Sequence, residues 1–276
     1  MTLMHTVRNC TVRLRGGKLT EIISRGDSLP EAYHYALLDL EDFGKNTPCD
    51  DWNTTQKEVA MTMIVEEPLK EPMISKCFIG GPRELQQYVM EMLDGILDFE
   101  VGFGNWKYTY HERYIDQYQF IIDELRRNPS SRRAVMVIRD KIADMYSDEP
   151  SCLQLLQYFI RDGKLSCVAI FRSNDAVKAT FMNAFALIML QKRIADELGV
   201  EMGSYTHRAN SFHCYERDFD LLTGYCGRIE KSLSAKDDSG VTYEYEDYWK
   251  DIMEEYIPEI LANVEELKRR KIVDEA

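Results

Sequence analysis

The sequence predicts a mixed α/β chain (α+β) with its strands concentrated in the middle, and three observations predict it. Two stretches carry apolar residues at helical spacing, three short β-branched segments follow them, and a long apolar helical pattern comes next. From about Glu84 to Asp98 the apolar side chains fall at Leu85, Tyr88, Val89, Met92, Leu93 and Ile96, one face of a helix. Tyr114 to Arg127 repeats the pattern until Asn128-Pro129, where proline lacks the N–H that would continue it. Ala134 to Ile138, Leu155 to Ile160 and Leu165 to Phe171 read as buried strands, with Arg161-Asp162-Gly163-Lys164 as the hairpin turn between the last two. Asn183 to Leu198 reads as a helix closed by Gly199, and Tyr245 to Lys271 as further helix broken at Pro258. The polar stretches Phe43 to Gln56 and Ser234 to Gly240 read as loops, the second preceding an acidic, solvated helical tail. Neither is long enough to divide domains, so one domain over residues 1–276 is expected.

Composition narrows the function classes. With 45% hydrophobic and 29% charged residues, a chain of 276 can bury a substantial core. A formal net charge of -13 argues against a protein that coats nucleic acid, because such binding rests on neutralising phosphates. A small anionic substrate remains compatible, since a few local arginines can grip one phosphate. The seven cysteines at 10, 49, 77, 152, 167, 214 and 226 form no close pairs, so reduced thiols and no metal cluster are expected. Polar Thr2, His5, Arg8 and Asn9 stand where a secretion signal needs an apolar core, and no apolar run reaches spanning length. A cytoplasmic protein without a membrane partner is the expectation.

Four clusters could carry chemistry: Ser131-Arg132-Arg133, Ser151-Cys152, Arg172-Ser173-Asn174-Asp175, and His213-Cys214-Tyr215. Singly each is weak, since a lone cysteine is usually a small core residue, an arginine pair solvated surface, and an asparagine opening a helix its cap. Their spacing is informative. Arg132 precedes Cys152 by twenty residues, Arg172 follows it by twenty, Asn183 lies eleven further on and His213 another thirty. Tyr108 through Arg113, Ile115-Asp116-Gln117, Asn128 through Arg133, and Gln157 five residues after the cysteine add to the pattern. From Tyr108 to Tyr215 the chain resembles the thymidylate synthase and pyrimidine nucleotide hydroxymethylase superfamily.

The resemblance implies a thymidylate synthase-like fold, a mixed sheet packed with helices, paired through that sheet into a homodimer. It also implies one-carbon transfer from 5,10-methylenetetrahydrofolate to carbon 5 of a pyrimidine nucleotide. A thiolate added at carbon 6 turns the ring into an enolate, which makes carbon 5 nucleophilic. Cys152 would be that thiolate, with Arg172 lowering its pKa. By similarity Arg172, Ser173, Arg132 and Arg133 would form the phosphate site, the arginine pair donated across the dimer. Gln157 is placed with the nucleotide by the same resemblance. Asn183 would read the base edge, and its amide suits uracil where an aspartate would suit cytosine. His213 and Tyr215 would hold the sugar 3'-hydroxyl. Glu91, with Glu84 as fallback, matches the general acid/base, Tyr108 a proton-transfer network, and Asp175 a folate contact.

Departures from the synthase pattern direct the choice of reaction. Leu153 replaces the histidine after the nucleophile, Lys178-Ala179-Thr180-Phe181-Met182-Asn183 replaces Leu-Gly-x-Pro-Phe-Asn, and the chain ends in Ile272-Val273-Asp274-Glu275-Ala276 without an apolar lid. Asn174 and Ser211 resemble phage deoxycytidylate hydroxymethylases. The reading drawn from these is a deoxyuridylate hydroxymethylase. The alternatives are a divergent thymidylate synthase, a cytidylate or deoxycytidylate hydroxymethylase, or a non-catalytic nucleotide-binding relative.

Overall fold

Residues 11–13 and 19–274 are described by the structure, a computed structural model. In chain order the strands are β1 (Thr11–Arg13), β2 (Glu21–Gly26), β3 (Lys45–Cys49), β4 (Thr54–Val65), β5 (Ile74–Ser75), β6 (Val135–Val137), β7 (Leu153–Arg161), β8 (Lys164–Phe171), β9 (Asn174–Asp175), β10 (Glu201–Tyr215) and β11 (Thr242–Tyr243). The helices are α1 (Leu29–Phe43), α2 (Pro82–Asp94), α3 (Phe99–Gly102), α4 (Tyr110–Arg127), α5 (Thr180–Leu198), α6 (Phe219–Ala235), α7 (Lys250–Glu255) and α8 (Ile257–Asp274). The polar residues Thr2, His5, Arg8 and Asn9, together with Cys10, Glu275 and Ala276, lie outside the described residues.

The mixed sheet runs β1-β2-β4-β10-β8-β7-β6, with β3 paired to β4 and β9 to β10. Its β2–β4 and β10–β8 contacts are parallel and its β10–β4 and β7–β8 contacts antiparallel. The hairpin over Asp162 and Gly163 takes positive φ at both residues, 52° and 76°, the geometry of the tight turn that follows strand twist. Gly199, at φ 69°, closes α5.

Strands are not confined to the middle of the chain. β2 and β4 sit inside the sheet, and β2 alternates exposed and buried residues in the period of a strand with one covered face. The stretch Phe43 to Gln56 is not a loop but a hairpin, in which β3 pairs with the start of β4 and Asn53 turns at φ 46°. Its polarity misleads because β3 is a largely exposed edge strand, which needs no apolar face.

One face of the sheet is buried completely. Ser24, Met63, His207, Ala169 and Leu156 are cross-strand neighbours on it, each at most 1% exposed, under α1, α4 and α5. α5 is apolar nearly all round and buried over its first three turns, as a helix entering the core must be, while Arg193, Asp196 and Glu197 face solvent near its end. The opposite face, with Ile64, Thr206, Val168, Gln157 and Leu155, is half-buried and carries no described helix of the chain. The acidic tail has a solvated face, with Asp251, Glu254, Glu255, Glu259 and Glu265 exposed, and packs through one stripe, where Trp249, Met253, Ile260 and Val264 are buried and α7 and α8 lie against α2. Its helix breaks at Tyr256, and Pro258 falls in the first turn of α8, where its missing N–H has no partner to lose.

Candidate active site

Cys152 lies immediately before β7, where the β7–β8 register shifts between Leu153 and Leu155. Such a bulge turns the strand and frees the residue before it from the regular pleat. The Cys152 carbonyl accepts from the Arg172 N–H at 2.8 Å, so the end of β8 holds the nucleophile candidate from the next strand. The Arg172 guanidinium is pinned on the same loop, with Nε donating to the Ser151 carbonyl at 3.1 Å and Nη2 to the Pro150 carbonyl at 2.8 Å. Buried Asp144 steadies this loop by accepting from the Ser151 hydroxyl at 2.9 Å and pairing with Arg113 at 3.2 Å. Burial pushes the Asp144 carboxyl up, but the Ser151 hydroxyl and Arg113 outweigh it and hold the group below its ordinary value. Cys152 is half-buried, and burial pushes its thiol up against the opposing pull of Arg172. In the chain alone the sulfur therefore stands as a thiol with a cation beside it.

Across from this loop, β9 and β10 bring His213 beside Asp175, and the Ala176 N–H donates to the His213 carbonyl at 2.7 Å. A second register shift, between Ala209 and Phe212, lies just ahead of His213. Burial lowers the His213 pKa while the Asp175 carboxylate pulls it up, with the lowering dominant, so the ring is neutral. Tyr215 lies edge-on to His213 at 4.8 Å between ring centres, and its phenol is close enough for the Cys152 thiolate to act on it. Asp175 Oδ1 accepts the Val177 and Lys178 N–H groups, both at 3.0 Å. Ser173 follows Arg172, half-buried.

The remaining wall is aromatic. Tyr108 and Tyr110 pack as tilted rings 5.8 Å apart, the Tyr110 oxygen accepts from the Leu153 N–H at 3.3 Å, and Arg113 lies 4.8 Å over the Tyr108 ring. Burial first, and the proximity of Cys152 second, push the Tyr108 phenol up to about 12. Glu91 on α2 is half-buried, has no cation beside it among the described residues, accepts from the Gln87 amide at 2.9 Å, and is raised by burial. Glu84, the fallback, is exposed and caps its own helix by accepting from the Gly81 N–H at 2.9 Å. Tyr88, one turn before Glu91, reaches the buried Asn183 and donates to its Oδ1. Tyr88 stood in the apolar stripe of the helix, and only its phenol oxygen signals more than packing.

Three candidates are not brought to Cys152 within one chain. Gln157 lies five residues along β7, roughly 17 Å at strand rise, and donates to the Arg132 carbonyl at 3.0 Å. Arg132 and Arg133 are exposed, and Glu124 fixes their segment by accepting from Ser131 Oγ at 2.5 Å and Arg133 Nε at 3.1 Å. The departures also acquire positions. Leu153 is a fully buried core residue, Lys178 pairs with Asp218 at 2.7 Å, and Asn174 Oδ1 is taken by Thr180 at 2.7 Å and His207 at 2.8 Å. Ser211 donates to Glu58. A cavity of about 510 Å³ opens elsewhere, lined by Asp27, Glu31, His34 and Lys70 among others, and includes none of these residues. Among the described residues no group of three or more His, Cys, Asp or Glu side chains could hold a metal, and no helix is long and apolar enough to cross a membrane.

Comparison with known proteins agrees with this geometry. The thymidylate synthase family model matches residues 86–253. A protein of Methanocaldococcus jannaschii, provisionally named a thymidylate synthase, is 36% identical over 186 residues, covering 64% of this chain and 84% of its own. The thymidylate synthase of Bacillus licheniformis is 33% identical over 176 residues, 61% of this chain and 62% of its own. The solved thermostable thymidylate synthase A of Bacillus subtilis shares the fold at TM-score 0.59 and 18% identity, covering 73% of this chain and 84% of that one.

Proposed function

This chain belongs to the thymidylate synthase family, and on that premise we propose that it converts dUMP to dTMP with Cys152 as the covalent nucleophile. One-carbon transfer is the family's chemistry and 5,10-methylenetetrahydrofolate its co-substrate. The observation that carries the proposal is the open end of the β7–β8 hairpin, where Cys152 enters β7 and Arg172 leaves β8. There a half-buried sulfur, a guanidinium locked onto the preceding carbonyls and the Tyr108 phenol come together.

Arg172 fits two tasks, favouring the thiolate and, with Ser173, gripping the phosphate. Sulfur adds to carbon 6 as the thiolate, the proton at carbon 5 leaves after the one-carbon unit is attached, and sulfur departs at the end. The co-substrate supplies both the carbon and a hydride and leaves as dihydrofolate. Glu91, raised by burial, suits proton exchange at O4 of the base, and Tyr108 the transfer beside it. Neutral His213 and Tyr215 suit the sugar hydroxyl, and Asn183 the base edge. Asp175 fits the folate through its second oxygen, because the first is occupied by backbone N–H groups.

A homodimer completes the proposal. The half-buried sheet face without described helices has the character of an interface, and Gln157 on it lies beside Arg132. A second copy seated there would bring its arginine pair to a phosphate held by Arg172. The hydroxymethylase reading loses its two marker residues, since the Asn174 oxygen is bonded to Thr180 and His207 and Ser211 faces Glu58. The mass of the product formed from dUMP and from dCMP tests the choice. A methyl gain on dUMP with release of dihydrofolate is expected, and a hydroxymethyl gain without dihydrofolate overturns it.

A further inference from the structure

Asn183 opens α5 at the base end of the site, and its side chain is buried. Its carboxamide has two faces with opposite hydrogen-bonding character, an oxygen that accepts and an NH2 that donates. Tyr88 is the one described side chain that bonds to this amide, and it donates to the oxygen. We propose that Tyr88 is the positioning residue that sets the base preference of the site, by holding the Asn183 oxygen so that the amide NH2 is presented to the substrate. This rests on the reading of the site as a pyrimidine nucleotide site.

The chemistry follows from which atom is left over. With its oxygen engaged, Asn183 offers a donor, which meets the O4 acceptor of uracil and collides with the amino group that cytosine carries at the same position. To accept from a cytosine amino group the amide must turn over. Its NH2 would then face the Tyr88 oxygen, and the phenol proton would be left without its acceptor, a penalty that falls only on the wrong base. The phenol is suited to this task. It is a partly buried group on α2, close enough to Glu91, Tyr108 and Cys152 for their charges to act on it, and burial first, then those charges, hold its pKa well above the ordinary value. Tyr88 therefore keeps its proton throughout the neutral range and always has one to donate. Glu91, a turn away, is bonded to Gln87 instead, so the orienting bond comes from the tyrosine.

Steady-state kinetics with dUMP and dCMP, and equilibrium binding of both, test the inference in wild type, Tyr88→Phe, Asn183→Asp and the double variant. Tyr88→Phe is expected to lower the ratio of kcat/KM for dUMP over dCMP by about tenfold, chiefly through weaker dUMP and tighter dCMP binding. In Asn183→Asp a carboxylate has no wrong way round, so adding Tyr88→Phe should leave that ratio where Asn183→Asp alone put it. An unchanged ratio in a folded Tyr88→Phe protein overturns the inference while leaving the function intact. Failure of wild type to bind dUMP or to release tritium from its carbon 5 overturns the function itself. If Tyr88→Phe does not fold, a crystal structure of wild type with dUMP decides: the amide nitrogen on O4 with the oxygen on Tyr88 supports the inference, and a Tyr88 hydroxyl turned away from Asn183 ends it.

Discussion

Arg172 and the pair Arg132-Arg133 carry the same charge, yet the fold treats them as opposites. Arg172 is half-buried, bonded to two carbonyls of the loop that bears Cys152, and close enough to depress the sulfur's pKa. Arg132 and Arg133 are exposed, lie a strand's length from that sulfur, and are steadied by Glu124 at the rim. The difference separates a guanidinium that works inside its own chain from two that have work only when another surface arrives. It also explains why Glu124, drawn down to about 2 by the Ser131 hydroxyl and then Arg127, is ionised at any working pH.

The contrast is anchored by the nucleophile. Cys152→Ser should cut turnover by at least about 10³-fold and abolish tritium release from carbon 5, because an alkoxide is far less available than a thiolate at neutral pH. Arg172→Ala should lower kcat/KM by about 10²-fold, since it removes a charge-assisted phosphate partner and leaves the thiolate less available. The pH profile of Cys152 alkylation must then move upward, since removing the cation leaves burial unopposed. A profile that stays put would deny Arg172 its role at sulfur.

Arg132→Ala should leave that profile alone and raise KM for dUMP by about tenfold, because it takes a guanidinium from the phosphate and nothing from the thiol. At dUMP well below KM, mixing refolded Arg132→Ala and Cys152→Ser subunits in equal amounts should give roughly a quarter of the wild-type rate, above either variant alone, since half the dimers then hold one intact site of two. No recovery means that the arginine acts within its own chain. Glu124→Gln should have the smallest kinetic effect, a rise in KM of about threefold as the arginine segment loosens, because the amide oxygen can keep the Ser131 bond while the pairs with Arg127 and Arg133 lose their charge.

Stability gives a separate reading of the buried face. His34 and His207 are held neutral by burial, each lowered to about 3, with Arg228 adding to the effect at His34. Because their folded values lie below the unfolded one near 6.5, they bind fewer protons folded than unfolded, and stability falls as pH drops below 6.5 toward 3. At pH 5 each should cost about 2 kcal/mol relative to pH 7, visible in urea midpoints and roughly halved by replacing His207.

Much of this arrangement was legible in the residues. The two central strands and their turn, the α5 pattern and the spacing from Arg132 to His213 are local signals written in periodicity and fixed intervals. β2, β3, β4 and β10 were not read, because their places depend on long-range pairing that no local window contains. In the site, Cys152, Arg172, Asn183, Asp175, His213 and Tyr215 stood out by type and interval. Asp144 and Tyr88 did not. One sits in a polar loop and matters through a buried bond to Ser151, and the other looks like the core stripe of a helix until its hydroxyl is followed to Asn183.

The tail gives the last lesson. α8 is tied to α2, the helix bearing Tyr88 and Glu91, through Arg83–Glu259 at 2.8 Å, and to α3 through Lys271–Glu100 at 3.1 Å and Lys268 over Phe99 at 5.2 Å. The helix that bears Tyr88 and Glu91 is thus backed on its outer side by an ion pair to α8 that never meets the substrate.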